Sequence, residues 1–324
     1  MAKPTVIVLT TGGTIGHRSE ANGVATMSFD PAGLVSALAL PDVDIEFRAV
    51  MRKGSMDVGP ADWVVIAKAV SDAMASAPRG VVIAHGTDTM HYTAAALAFM
   101  LRGLPVPVVM TGSMIPGGDA GSDALPNLRD AVTVAALADL AEVCVVFKGQ
   151  IIRGTRARKV HSHAVDAFTS INVPPIGTVE AGRIALGTQK VARRSASTLN
   201  VTTALDTNVV LIKLTPNLSK EALARQLDSA SGAVLEGTGV GHIAAELRPA
   251  VAAFGKPVVV TTQAVHGGEK LGIYEVDKDI LAIPNIIPAG DMSSETALVK
   301  LMWALPQRGD VKALMRTNIA GEIG

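Results

Sequence analysis

The chain has 324 residues, 48% hydrophobic and 18% charged, with mean hydropathy +0.36, enough apolar material for a large buried core in about two domains. Its 29 Lys+Arg balance 29 Asp+Glu, so no net field marks a nucleic acid or an anionic membrane as partner. No run reaches the ~18 uncharged apolar residues of a spanning helix, and MAKPT lacks the apolar core and cleavage site of an export signal, so the expected compartment is the cytoplasm.

In chain order, short β-rich runs alternate with helical patterns: TVIVL, WVVIAKAVSDAMAS, GVVIAHG, TAAALAFMLRG, VPVVMTGS, NLRDAVTVAALADLA and EVCVVFKG. That rhythm predicts α/β architecture, a mostly parallel sheet with helices on both faces and functional loops after the strand C-termini. Cys144, the only cysteine, lies in EVCVVF and reads as a core residue in a reducing environment. The polar stretch from 189 to 208 lacks apolar periodicity. We expect a larger domain over 1–190, a linker over 191–208 and a smaller α/β domain over 209–324, where VVLIKL, SKEALARQLDSA, GAVLEG, VAAFGKPVVVTTQ and SSETALVKLMWAL resume the pattern. Few aromatics with high hydropathy point to subunit interfaces.

Three of the strand-like runs end in polar, glycine-bearing turns: TTGGTIG at 10–16, HGTDTM at 85–90 and TGSMIP at 111–116. In a parallel sheet adjacent C-terminal edges share one crevice, so Thr14, Thr87, Asp88 and Ser113 are candidates to face one small ligand. Gly12, Gly13 and Gly16 do not give the dinucleotide spacing G-x-G-x-x-G, and there is no Walker loop or G-x-S-x-G elbow. His85 and His91 are six apart, His161 and His163 form H-x-H, and no H-E-x-x-H or Cys/His set accompanies them; neither metal nor cofactor is expected. A threonine hydroxyl attacks only when a base takes its proton. Thr87 lies beside a carboxylate, and Lys159 of RGTRARKVHSH is the candidate cation. As a plain surface lysine it would be solvated charge; drawn into a low-dielectric crevice it would lose its proton more easily.

Together TGGTIG, GSMD before PADW, HGTDTM, TGSMIP, RGTRARK, DAFTSINVPPIG and the late TTQAVHGGEKLGIYEVD and AGDMSSETALVKL resemble the bacterial-type L-asparaginase family over nearly the whole chain. YTAAALAFML, NVPP and GDM are more similar to its cytoplasmic type I branch. The resemblance implies L-asparagine as substrate, hydrolysed to L-aspartate and ammonia through a β-aspartyl ester on Thr14. It implies a relay of Thr87, Asp88 and Lys159, and a substrate site in which Ser55 and the backbone of Met56 hold the α-carboxylate. Asp88 then holds the α-ammonium, and Ser113 cradles the leaving amide. Backbone N–H groups near Thr14 and Thr87 become oxyanion donors, each worth roughly 3–4 kcal/mol in other enzymes. It further implies a homodimer or homotetramer, each crevice closed by a neighbour's smaller domain.

The chain departs from that pattern. Where relatives carry a tyrosine on the loop after TGGTI, this sequence reads NGVATM, with Val24 nearest the place. Either Tyr274, His242 or Glu275 of a neighbouring subunit supplies the lost proton role, or turnover is slow. Met56 replaces a polar residue, His242 stands where asparagine is common, and Ala264 stands where some type I enzymes carry a cysteine near an effector site. Two other readings share these residues. One is the amidase subunit of a tRNA-dependent amidotransferase, which typically has an added N-terminal domain; the other is a non-catalytic amino-acid sensor lacking the loop tyrosine.

Overall fold

The computed structural model describes residues 3–13, 15, 18–20, 25–26, 37–38 and 40–324. Thr14 and Val24 lie outside the described residues. Contacts divide the chain into two compact units, Met1–Ser170 with Pro174–Thr203 and Ile171–Val173 with Ala204–Gly324.

In the first unit a sheet is built from β1 (Thr5–Gly12), β2 (Asp44–Lys53), β3 (Gly80–Ala84), β4 (Val108–Thr111), β5 (Val143–Phe147), β6 (Gln150–Arg153), β9 (Gly177–Glu180) and β10 (Arg183–Leu186), in the order β10-β9-β6-β5-β4-β3-β1-β2. Neighbours from β2 to β5 pair in parallel, and β6, β9 and β10 extend that core as antiparallel hairpins. Strands β1, β3, β4 and β5 are Val/Ile-rich and buried on both faces, as parallel strands covered by helices must be. Helices α1 (Pro60–Met74), α2 (Met90–Met100) and α3 (Ala124–Leu137) provide the cover. Pro60 opens α1, and the Asp62 carboxylate reaches back to the Gly59 N–H at 3.0 Å. Helix α2 is apolar nearly all round and nearly all of it is buried. Cys144 of β5 is in the core, where burial pushes its thiol well above the ordinary range.

The chain passes from β1 outward to β2 and then back across to β3, so the order of the core, β2-β1-β3-β4-β5, reverses direction between β1 and β3. In open α/β sheets ligands bind outside the carboxyl ends of the strands at that switch point. The glycines there are required by close approach. A Cβ on Gly13, whose φ is +79°, would sit 2.3 Å from the Gly86 Cα; one on Gly86 would sit 2.6 Å from the Ser55 Cβ. The Gly13 N–H also donates to the Lys53 carbonyl at 3.0 Å, so the ends of β1, β2 and β3 meet backbone to backbone.

A short antiparallel pair, β7 (Ala157–Lys159) with β8 (Phe168–Ser170), carries Lys159 at the end of β7. Residues 189–199 hold no helix or strand, yet they are pinned to the first unit: the Arg194 side chain donates to the carbonyls of Ala138, Ala135 and Arg79.

The second unit has a four-stranded parallel sheet, β11 (Val209–Lys213), β12 (Gly232–Gly237), β13 (Val258–Thr262) and β14 (Ile286–Pro288), in sequential order. Its helices include α4 (Lys220–Leu227), α5 (Arg248–Phe254), α6 (Asp277–Leu281), α7 (Ser294–Ala304) and α8 (Val311–Arg316). Ser219 and Ser293 cap α4 and α7 by accepting from Ala222 N–H and Thr296 N–H. Lys300 of α7 is fully buried and donates to Glu322 at 2.6 Å and to the carbonyls of Met315 and Thr317 at 2.9 and 2.7 Å. Among the described residues no helix is long and apolar enough to cross a membrane.

Candidate active site

The turn after β3 begins with His85, which is fully buried. Its Nδ1–H donates to the Gly86 carbonyl at 2.7 Å and its Nε2 accepts from the Thr93 hydroxyl of α2 at 3.1 Å, which assigns the tautomer. Burial holds the imidazole at about 4, against the pull of the Gly86 carbonyl and Asp62, so it is neutral at pH 7. His85 thus braces the turn that carries Thr87 and Asp88.

Thr87 is buried, and its Oγ1 accepts from the Lys159 ammonium at 2.8 Å. Lys159 Nζ also donates to Asp88 Oδ1 at 2.7 Å; its side chain is 13% exposed, that of Asp88 57%. The lysine is therefore drawn in from the end of a strand, and the view of it as solvated loop charge does not hold. Asp88 makes no capping bond to α2, whose N-cap is Thr89. Thr89 Oγ1 instead donates to the Ser55 carbonyl at 2.6 Å, and Ser55 Oγ accepts the Asp88 N–H at 3.2 Å. Hydroxyl, carboxylate and ammonium groups from the ends of β2 and β3 and from β7 thus form one connected set.

Ser113, in the turn after β4, is completely buried, and among the described residues its hydroxyl has no partner. The turn around it is held by hydrogen bonds. Asp123 accepts from the N–H groups of Met114 and Ile115 at 3.0 and 2.9 Å, and Asn127 donates to the Gly112 carbonyl at 3.0 Å. A buried hydroxyl left unpaired inside a fixed turn is available to a ligand. Met56 follows Ser55 with its side chain 76% exposed, so it contributes no enclosing wall.

The second unit brings His242 and Tyr274 together, with ring centroids 5.3 Å apart and edge to face. Glu275 is exposed and does not join them; the acid at that place is Asp277, fully buried, 3.2 Å from His242 Nε2. Burial pushes Asp277 upward, but the N–H groups of Tyr274, Gly272 and Ile273 and the nearby His242 hold it below the usual carboxylate range. In the sequence, Asp277 three residues after Tyr274 is the one signal of this turn-closing role. His91 is the other residue that sequence reasoning weighs only as a metal ligand: it is nearly buried on α2, and among the described residues its Nδ1 has no partner. Among the described residues no group of three or more His, Cys, Asp or Glu is placed to hold a metal.

The doubly wound sheet carries a hydroxyl, ammonium and carboxylate set at its switch point, where such sheets bind their ligands. The family model described as "Asparaginase, N-terminal" matches residues 5–192, and "Glutaminase/Asparaginase C-terminal domain" matches residues 208–317. The chain belongs to the asparaginase family. It is 41% identical to the L-asparaginase of Thermococcus kodakarensis over 98% of both chains, and that enzyme's solved structure superposes with a TM-score of 0.90. L-asparaginase I from Vibrio cholerae superposes with a TM-score of 0.87 at 32% identity, covering 100% of both chains. A glutamyl-tRNA(Gln) amidotransferase subunit from Pyrococcus furiosus is 39% identical over 99% of this chain and 77% of its own length.

Proposed function

We propose that the protein hydrolyses L-asparagine to L-aspartate and ammonia, with Thr14 as nucleophile and Thr87, Asp88 and Lys159 as its proton relay. The observation that carries this reading is the Lys159 ammonium shared between Thr87 Oγ1 at 2.8 Å and Asp88 Oδ1 at 2.7 Å. The Thr14 oxygen bonds to the side-chain carbonyl carbon of asparagine while the relay takes the hydroxyl proton: Thr87 passes it to Lys159, which in the same step gives one of its own protons to the Asp88 carboxylate. The relay returns that proton to the leaving nitrogen as the C–N bond breaks, which releases ammonia and leaves a β-aspartyl ester. Water then gives a proton to the same relay and attacks the ester; the relay returns that proton to the Thr14 oxygen as the acyl bond breaks, which frees Thr14 and aspartate.

Binding follows the same chemistry. The exposed Asp88 carboxylate suits the α-ammonium, Ser55 with the backbone of Met56 suits the α-carboxylate, and the unpaired Ser113 hydroxyl suits the carboxamide. The larger domain over 1–190 carries this machinery, and 191–208 joins it to the domain over 209–324. We read the assembly as a homodimer or homotetramer in the cytoplasm, with His242 and Tyr274 of a neighbour closing the crevice. The exposed Ile273, Tyr274 and Val276 support that reading as an apolar surface in need of cover, and the buried, unpaired Cys144 supports the compartment.

Ammonia release from L-asparagine by the purified protein, with L-glutamine and D-asparagine beside it, tests the proposal. L-asparagine is expected to be the best substrate, with turnover lost in Thr14→Ala. Full activity in Thr14→Ala, or no ammonia from any of the three, overturns it. The likeness to an amidotransferase component favours a second reading, an amidase that works within a larger complex; hydrolysis of free asparagine by the chain alone argues against that reading.

A further inference from the structure

Asn127, near the start of α3, is only 2% exposed and takes no part in the hydrolytic steps above. Its Nδ2 donates to the Gly112 carbonyl and to Asp123 Oδ2, both at 3.0 Å, and its Oδ1 accepts the Lys148 N–H at 3.1 Å. Two acceptors on one side and a donor on the other admit a carboxamide in one orientation only; a carboxylate would set oxygen against oxygen at Gly112 and at Asp123. Both Nδ2 protons are taken, which leaves Asn127 no donor for substrate. Lys148 and Gly149, both with positive φ, form the two-residue turn between β5 and β6. Asn127 therefore ties together the ends of two neighbouring strands, β4 and β5, and the Thr111 hydroxyl repeats the tie by donating to the Val146 carbonyl at 2.8 Å. At Gly112 this hold meets the relay turn. The Thr111 carbonyl accepts the His85 N–H at 2.8 Å, and a Cβ on Gly112 would sit 2.3 Å from the His85 carbonyl oxygen and 3.4 Å from Thr87 Cγ2. Ser113 follows, between the carbonyl that Asn127 holds and the Met114 and Ile115 N–H groups that Asp123 holds.

We infer that Asn127 is a positioning residue for the hydrolysis: through the Gly112 carbonyl it sets how far the Ser113 hydroxyl stands from Thr87, and so how far the group that receives the carboxamide stands from the group that moves the proton. The inference rests on the roles proposed above for Ser113 and Thr87. With no side chain at Gly112, the two turns meet main chain to main chain, and a shift of one is not absorbed before it reaches the other. Displacement of a reacting group by about 1 Å costs up to about 10²-fold in rate. Thr87 keeps its own hold from Lys159, so loss of Asn127 acts on Ser113 and not on the relay pair.

The experiment is a double-mutant cycle on asparagine hydrolysis by the whole enzyme, with Asn127→Ala, Ser113→Ala and the two combined, each rate referred to folded protein measured by thermal unfolding. Asn127→Ala alone is expected to lower kcat/KM by about 10- to 10²-fold. Added to Ser113→Ala it should lower kcat/KM little further, because the hydroxyl it would misplace is already gone. A residue that only stabilises the fold would lower the unfolding midpoint and leave the two losses multiplicative. Asn127→Ser repeats the cycle in case the alanine variant does not fold, since the serine hydroxyl can bond back to the Asp123 carbonyl within the helix. A folded Asn127 variant with undiminished kcat/KM, or the same fold-loss with and without the Ser113 hydroxyl, overturns the inference. No ammonia from asparagine by the unaltered enzyme overturns the reading on which it rests, which is a separate result.

Discussion

Two lysines of this chain are drawn out of water, and they are used in opposite ways. Lys300 has no exposed surface; its ammonium is shared among Glu322 and the carbonyls of Met315 and Thr317, and Glu322, equally buried, also takes the N–H groups of Ile319 and Ala320. Burial pulls Lys300 below its ordinary range against the pull of Glu322. Among the described residues Lys159 has two partners, one of them the largely exposed Asp88, and an open cavity beside it. A lysine with every donor spoken for is a tie for the segment after α8. One with a partner in solvent can change its bonds during a reaction.

Mutating each lysine separates the roles. Lys159→Met is expected to lower kcat by about 10²–10⁴-fold, the range for loss of a positioned acid–base group, with little change in unfolding midpoint; steady-state kinetics beside thermal unfolding checks both. Lys300→Met leaves the Glu322 carboxylate buried without its cation and should destabilise by about 3–5 kcal/mol. Activity per folded molecule should be kept, and Lys300→Met with Glu322→Leu should recover part of the loss. Urea titration of the two variants gives the comparison.

Acid offers a third contrast. His85 and His91 are both held near 4, chiefly by burial. Between pH 6.5 and 4 the unfolded chain therefore binds protons that the folded chain refuses. Their contribution is complete above about pH 6.5 and is lost as pH falls toward 4, each costing about 3.5 kcal/mol at about 1.4 kcal/mol per unit. Stability measured across that window should fall with acid, and His85→Gln should flatten the slope. The smallest expected effect belongs to Ser113→Ala. Removing an unpaired buried hydroxyl leaves stability within about 1 kcal/mol or raises it, while KM for asparagine rises if that hydroxyl meets the substrate.

The parts of the fold that sequence made legible are those with one physical signal. VIVL, GVVIA and VPVVM are continuous apolar runs followed by glycine-bearing turns, and each is a buried parallel strand at or beside the switch point. Strand β2, DIEFRAVMRK, lies at the sheet edge with mixed exposure and no clean alternation, so nothing in its pattern marks it. Strands β6, β9 and β10 are short antiparallel pieces inside what reads as a βαβ rhythm. In the site, Thr87, Asp88 and Ser113 follow from strand ends, whereas Lys159 stands 71 residues from Asp88 and only pairing of β7 with β8 brings it in. Glu275 and Asp277 are both plain carboxylates in sequence, and Glu275 is the one adjacent to Tyr274; which of the two turns inward depends on three backbone donors that only the folded turn supplies.

The contact between Gly13 and Gly86 limits how this protein can be altered. Two strand ends separated by bare main chain have no slack, so replacing either residue by alanine, a common route to stiffer enzymes, is closed here. Directed variation would have to proceed around that fixed spacing, through positions such as Met56 whose side chains extend into open solvent.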